Sequence, residues 1–321
     1  MSALFADLIG QPRAVALLEA VLDQQRLAPA YLFSGADGVG RRLAAQRFLE
    51  GVIAGPEGSL ALRRRLMEGN HPDLLWVEPT YSHQGQLIPI SQAEEQGLAR
   101  RALPQLRLEQ VRAVARFLGR RPVEARRCLV VLEQVEAMAE GAANALLKTL
   151  EEPGDGLLIL ITATPERLLS TIRSRCQQIP FVLLDPTDLD QVLAAVAQRT
   201  GQALNDGNDP AELRELAAGS PGALLRHRRQ WQELPEGLAE RLRRRQREPL
   251  EALALARDLT EALDVEQQLW LIDWWQRVLW AEALDPGPLR RLERLRQHLR
   301  AYVQPRLAWE VTLLDLAGLR R

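Results

Sequence analysis

The residues best placed to do chemistry are the eight from Gly35 to Arg42, Gly-Ala-Asp-Gly-Val-Gly-Arg-Arg. They follow an apolar run, Ala30-Tyr31-Leu32-Phe33, and precede a helical pattern from Leu43 to Ile53. Strand, glycine-rich loop and helix is the arrangement in which backbone N–H groups and a helix N-terminus cradle phosphate. Gly35-x4-Gly40, with Gly38 between, has Walker A spacing. The two side chains that complete such a site differ. Arg41 stands where a lysine would reach the β- and γ-phosphates, and Arg42 where a Ser/Thr hydroxyl would hold Mg²⁺. A guanidinium is a rigid fork that does not replace an ammonium, and it offers no oxygen to a hard cation. The loop keeps the backbone of a nucleotide site and loses its side-chain chemistry. Taken alone it also reads as a glycine-rich turn that never met nucleotide.

The elements that must position this loop alternate between strands and helices. Cys128-Leu129-Val130-Val131-Leu132 and Leu157-Leu158-Ile159-Leu160-Ile161 are continuous apolar runs, as expected of strands buried on both faces of a parallel sheet. Leu74 to Val77 reads as another strand after the turn Asn70-His71-Pro72-Asp73, and Gln178 to Val182 as an edge strand, because it contains Pro180. Helices are expected over the first 29 residues, with Val15, Leu18, Val21 and Leu22 inward, and over 59–68, 106–118, 142–152 and 165–173. In the first of the later ones Arg63-Arg64-Arg65 reads as a solvated face; in the second Leu108, Val111, Val114 or Ala115, and Leu118 point inward. Pro153-Gly154 stops the helix that begins at Ala142. Residues 80–105 are polar and aperiodic and read as a long loop. After Asp185-Pro186 the strand signal disappears: 187–226 reads as a small helical unit broken at 205–210, and everything from about Gln230 to Arg321 as helix. The fold class expected is therefore α/β, doubly wound, followed by all-α.

Composition narrows the function classes. With 46% hydrophobic and 26% charged residues the 321-residue chain is ordinary for a globular protein of two or three domains. A net charge of -1 gives no global attraction to nucleic acid or anionic membrane. Lys148 is the only lysine among many arginines. Two cysteines, Cys128 and Cys176, make neither a disulfide framework nor a zinc site, and Cys128 reads as a small buried apolar residue. His71 has no Cys or His companions nearby. No signal pattern and no apolar run of membrane length is evident, so a cytoplasmic location and no membrane contact are expected. Trp270, Trp274, Trp275 and Trp280 lie at helical spacing in a leucine-rich stripe and read as core or interface rather than base-stacking platforms. Arg241, Arg243, Arg244, Arg245 and Arg247 could meet phosphates, but acidic neighbours make a solvated face the expectation.

Five stretches carry a resemblance: Leu8-Ile9-Gly10-Gln11, Tyr31 to Gly35, Gly69-Asn70-His71-Pro72-Asp73, Ala143 to Pro153 and Ile172-Arg173-Ser174-Arg175-Cys176. On them the chain resembles the AAA+ clamp-loader family, and within it the delta-prime subunits of bacterial DNA polymerase III. The resemblance covers the first domain, while the helical last third matches in architecture only. It implies an AAA+ P-loop parallel sheet domain over 1–183, a helical lid domain over 184–228 and a C-terminal helical oligomerisation domain over 229–321.

The resemblance also assigns roles. Leu129 to Leu132 occupies the Walker B strand, where active motors continue with Asp-Glu; here Glu133-Gln134 follow, and a neutral amide is no general base. Arg41, Arg42 and Gln134 together imply a site that does not hydrolyse ATP. Thr162 falls at the sensor-1 position, where strand-end capping is the competing reading, and Gly222 falls where active relatives carry the sensor-2 arginine. Zinc-binding relatives carry four cysteines that this chain lacks, so no zinc, no other metal and no cofactor are expected, and ATP binding at the degenerate site stays open. Arg175 is kept, and in the family this arginine reaches the neighbouring subunit's ATP site. The function implied is a non-catalytic clamp-loader subunit within a DNA-directed DNA polymerase holoenzyme, a nucleotidyltransferase complex. Its implied partners are gamma/tau-like ATPase subunits and a delta-like subunit in a hetero-oligomer, with the sliding clamp and primer-template DNA met through the complex. The alternatives are an autonomous AAA+ ATPase, disfavoured by Arg42 and Gln134, and an arginine-rich DNA-binding protein, disfavoured by the net charge.

Overall fold

In a computed structural model of the protein, residues 3–83, 85–93, 103–152, 154–201, 210–244, 248–283, 285–301 and 303–318 are described. The expected stop at Pro153, most of the 205–210 break, residues 94–102 of the expected loop, and Arg245 and Arg247 lie outside them.

The chain divides into two compact units. The first comprises 1–95, 104–206 and 219–223, the second 96–103, 207–218 and 224–321. The first is built on strands β1 (Ala30–Ser34), β2 (Leu74–Val77), β3 (Thr80–His83), β4 (Gln86–Pro89), β5 (Leu129–Leu132), β6 (Leu157–Thr162) and β7 (Gln177–Pro180). Five of them form one parallel sheet in the order β2-β5-β6-β1-β7. The central β5 and β6 are buried along their whole length, the environment their unbroken apolar runs require. β7 pairs only with β1 and carries Pro180, as an edge strand can.

The helices of this unit are α1 (Pro12–Gln24), α2 (Arg41–Ala54), α3 (Leu60–Met67), α4 (Ile90–Ala93), α5 (Leu108–Leu118), α6 (Glu140–Glu151), α7 (Ser170–Arg173) and α8 (Pro186–Thr200). Successive strand side chains point to opposite faces, and both faces are covered. Leu32, Val130, Leu132, Leu158 and Leu160 share a core with Val111 and Val114 of α5 and Leu146 of α6. On the other side Tyr31 meets Phe48 of α2 edge-on at 5.1 Å, and Phe33 lies 5.4 Å from Phe181.

Four expectations need correction. Residues 80–89 are not loop: β3 and β4 pair as an antiparallel hairpin with Tyr81 opposite Ile88, both buried, and Gly85 in its turn has φ +81°. A short polar ribbon of that kind carries too little alternation to announce itself. The helix expected from Leu106 starts at Leu108, because the buried Leu106 instead bridges to Met138 as isolated strand; Ala115 is exposed. The expected helix 165–173 is two pieces, a 3₁₀ turn over Pro165–Arg167 and α7. Arg63 is not simply solvated: it binds the fully buried Glu50 at 2.8 Å, while Arg64 and Arg65 pair with Glu68 and Glu124 at the surface.

The second unit is helical: α9 (Ala211–Ala217), most of α10 (Pro221–Gln232), α11 (Leu238–Arg243), α12 (Pro249–Ala262), α13 (Val265–Ala283), α14 (Pro286–Arg300) and α15 (Pro305–Ala317). α12 packs on α15, and α14 on both α13 and α15. Trp270, Trp274 and Trp275 are core residues and Trp280 is exposed. Two buried indoles are hydrogen-bonded, Trp309 Nε1 donating to Gln268 Oε1 (3.0 Å) and Trp270 Nε1 to His227 Nδ1 (2.9 Å), while Trp274 Nε1 and Trp275 Nε1 have no partner among the described residues.

Candidate functional site

The glycine loop runs from the end of β1 to the start of α2 and needs its glycines for close approach. A Cβ on Gly35 would lie 2.5 Å from the Phe181 carbonyl oxygen. Gly38 has φ +80°, and a Cβ there would lie 2.6 Å from the Ala223 nitrogen. Three successive loop carbonyls are hydrogen-bonded by residues distant in sequence. Ser220 Oγ donates to the Asp37 carbonyl, the Gly222 N–H donates to the Gly38 carbonyl at 3.0 Å, and Gln11 Nε2 donates to the Val39 carbonyl at 3.2 Å. Gln11 is buried and also exchanges bonds with the Val182 backbone, at 2.7 and 3.0 Å. The loop is thus fastened on both sides within the first unit.

The two arginines that replace the Walker side chains are ion-paired inside the chain. Arg41, only 6% exposed, pairs with Asp37 of the glycine loop; its Nη1 has no partner among the described residues. Arg42 bridges Glu78 (3.1 Å) and Glu133 (2.9 Å), with its guanidinium carbon 4.8 Å from the Trp76 ring centre. Trp76 Nε1 donates to Glu133 Oε1 at 2.7 Å. Burial pushes the Glu133 carboxyl up from its ordinary pKa, against the pull of Arg42 and the Trp76 hydrogen bond. In a nucleotide-hydrolysing site a Walker B carboxylate faces a divalent cation; here the cation facing it is a guanidinium. The donor set does not fit Mg²⁺-nucleotide: no hydroxyl follows the loop, and the carboxylate is already neutralised. Gln134 sits at the strand end with φ +48°.

Of the residues singled out in the sequence, the structure brings Arg42 to Glu133 and turns Arg41 to Asp37. It adds Trp76 and Glu78. These had a legible signal: β2 and β5 are parallel neighbours with Val77 opposite Leu132, which sets Glu78 beside Glu133 once that pairing is assumed. Thr162 is fully buried, and its Oγ1 accepts from the Thr164 N–H at 3.2 Å, a strand-end cap. Asp73, of the Asn-His-Pro-Asp turn, accepts the N–H groups of Val123, Glu124 and Ala125, each at 2.7 Å. Burial would raise its pKa, but the bonds from these three N–H groups hold the carboxyl below its ordinary value.

Arg175 belongs to a separate cluster. It follows α7, and its side chain is 36% exposed. Nη1 donates to the Thr171 carbonyl (3.0 Å) and Nη2 to Glu151 Oε1 (2.9 Å), which fixes the guanidinium at the surface. Arg173 is half-buried, so Arg175 is the more accessible of the two. Burial pushes the adjacent Cys176 thiol up to about 12. In the second unit Arg241 pairs with Asp258 and Arg243 with Glu212, which agrees with a solvated, ion-paired face.

The family described as "DNA polymerase III, delta subunit" matches residues 10–185, and "Cyanobacterial DNA polymerase III delta prime, C-terminal domain" matches 187–316. DNA polymerase III subunit delta' of Bacillus subtilis is 35% identical over 217 residues, 64% of this chain and 59% of that protein's length. DNA polymerase III subunit tau/gamma of Haemophilus influenzae is 30% identical over 227 residues, 68% of this chain and 29% of its own length. The matched stretch therefore spans well under two thirds of either relative. Among solved structures, a gamma subunit-related protein of Thermotoga maritima superposes with a TM-score of 0.53 at 19% identity, covering 96% of this chain and 100% of that one, a likeness of fold.

Proposed function

The chain belongs to the DNA polymerase III delta-prime family of AAA+ clamp-loader proteins, and from that premise we propose that it is the non-catalytic subunit of a clamp loader, lending Arg175 to a neighbouring ATPase. The observation that carries this reading is the contrast between two arginine environments. Arg41 and Arg42 are consumed by carboxylates of the chain's own degenerate site. Arg175, clear of that site, is held at the surface by one main-chain carbonyl and one half-exposed acid that an incoming phosphate can displace.

A guanidinium offered in trans compensates charge spreading on a transferred phosphoryl group and is worth ~10³–10⁵ in rate. That corresponds to about 4–7 kcal/mol of barrier. The neighbours on this reading are gamma/tau-type ATPase subunits and a delta-type subunit, with clamp and primer-template DNA engaged by the assembly. The helices after residue 229 supply the oligomerisation surface, and the chain itself binds no nucleotide.

The test is steady-state ATPase and clamp loading by complexes reconstituted with wild-type or Arg175→Ala chain. The variant should assemble normally, because an exposed arginine costs little to truncate. The total ATPase should fall partially, since other sites in the ring remain, and clamp loading should fall further. Unchanged rates with verified assembly would remove Arg175 from the role. Magnesium-dependent turnover by the isolated chain, lost in Arg41→Ala, would favour an autonomous ATPase instead.

A further inference from the structure

Helix α14 carries a charge pattern that the proposed function does not use. Leu292, Leu295 and Leu299 are its buried side. Arg290, Arg294 and His298, at i, i+4 and i+8, form an exposed ridge with Arg291 beside it. None of these four side chains has an ion-pair or hydrogen-bond partner among the described residues. The one acid of the helix, Glu293, is bound to Arg296, which also holds Asp273. Asp315 of α15 lines the groove beside Arg291, Arg294 and His298 and has an interaction of its own.

Several other exposed arginines of this unit carry a carboxylate, Arg241 with Asp258, Arg243 with Glu212 and Arg306 with Glu310, while Arg277 donates to the Glu215 carbonyl. Like charges one turn apart destabilise a helix, and among the described residues no ion pair to Arg290 or Arg294 offsets them. We propose that this ridge is a sequence-independent contact for the phosphate backbone of DNA. The ridge contains no exposed apolar side chain, so it lacks the apolar core of a protein–protein interface and the apolar face of a membrane-surface helix. Eight residues of helix rise about 12 Å, enough to meet about three phosphates of one strand. The inference rests on α14 and stands whether or not Arg175 acts in trans.

The experiment is fluorescence anisotropy of labelled single-stranded and duplex oligonucleotides with the full chain at about 50 and about 200 mM salt. The Arg290→Gln/Arg291→Gln/Arg294→Gln variant is compared with wild type and with a control, Arg13→Gln/Arg112→Gln/Arg116→Gln, whose arginines are exposed elsewhere. Matching circular dichroism and melting establish that each is folded. Wild type should bind with a dissociation constant of ~10⁻⁴–10⁻⁶ M near the higher salt and more tightly at the lower. The ridge variant should bind roughly tenfold or more weakly, with a single-strand salt slope shallower by about two, as expected for loss of three phosphate contacts. The control should match wild type. Equal losses in ridge variant and control, absence of wild-type binding at the lower salt, or competition by poly-glutamate as effective as by DNA would each overturn the proposal.

Discussion

Replacing Gly222 by alanine tests whether the degenerate loop is fastened shut. A Cβ at that position would lie 2.7 Å from the Gly38 α-carbon and 3.1 Å from its carbonyl oxygen, and both are backbone atoms that cannot rotate away. Relief requires the two segments to part by about 1 Å, which breaks the 3.0 Å bond from the Gly222 N–H to the Gly38 carbonyl and disturbs the neighbouring Ser220 bond to Asp37. The lost hydrogen bond costs about 1 kcal/mol and the overpacking about 1–3 kcal/mol, together about 2–4 kcal/mol. At about 2–4 °C per kcal/mol for a unit of this size, the melting temperature should drop by roughly 5–15 °C. Circular dichroism melting reads the loss, and hydrogen exchange should localise it to residues 36–40 and 219–223. Gly222→Arg, with a far larger side chain at the same contact, should destabilise at least as much. A Gly222→Ala protein that melts with wild type, with unaltered exchange at the loop, would refute the reasoning.

Arg42→Ser should strand Glu78 and Glu133 without their shared cation and lower the melting temperature. Mn²⁺ should then raise the melting temperature of the variant and not of wild type; no metal response would show that the guanidinium does not occupy a cation position. Asp73→Asn leaves at least one of three backbone N–H groups facing an amide NH₂ and should cost about 2–4 kcal/mol in denaturant unfolding. Because the Asp73 pKa is held down in the folded state, its contribution is present at neutral pH and lost as pH falls below about 4. Wild type should therefore weaken on acidification more than Asp73→Asn does, and parallel pH curves would contradict this. Glu151→Gln should leave assembly intact and increase the partner-site ATPase about twofold or more by releasing Arg175 from an exposed pair of small worth, whereas a fall would make Glu151 an aid to Arg175 rather than a competitor.

What the sequence disclosed followed from how local each signal is. The runs Leu129–Leu132 and Leu157–Ile161 announced central strands, since burial on both faces leaves no place for a polar residue. The loop announced itself by glycine spacing, Arg41 and Arg42 by their failure to match the side chains that spacing requires, and Gln134 by its departure from the Asp-Glu pair that the family resemblance implies. The partners of those arginines were legible only once β2 was paired with β5, because Trp76, Glu78 and Glu133 reach Arg42 through strand pairing across tens of residues. Likewise nothing near Gly222 or Gln11 indicated that both bind the glycine loop. The hairpin at 80–89 stayed hidden because its inward positions, such as Tyr81 and Ile88, are few and its turn lacks an Asn-Gly or Asp-Gly pair. The α14 ridge was overlooked for a different reason: a run of arginines has the same spelling whether or not carboxylates from other helices answer it.

The Cys176 thiol, next to Arg175 in the chain, has a consequence for redox chemistry. With its pKa pushed up to about 12, only ~10⁻⁵ of it is thiolate at neutral pH. Peroxides and alkylating reagents attack the thiolate, so a residue one bond away from an exposed arginine is chemically silent. Buried Cys128 is shifted in the same direction. Cys128 is buried, so the rate at which it is labelled should follow opening of the first unit. A pulse of reagent applied to the intact protein would time that opening without any engineered probe.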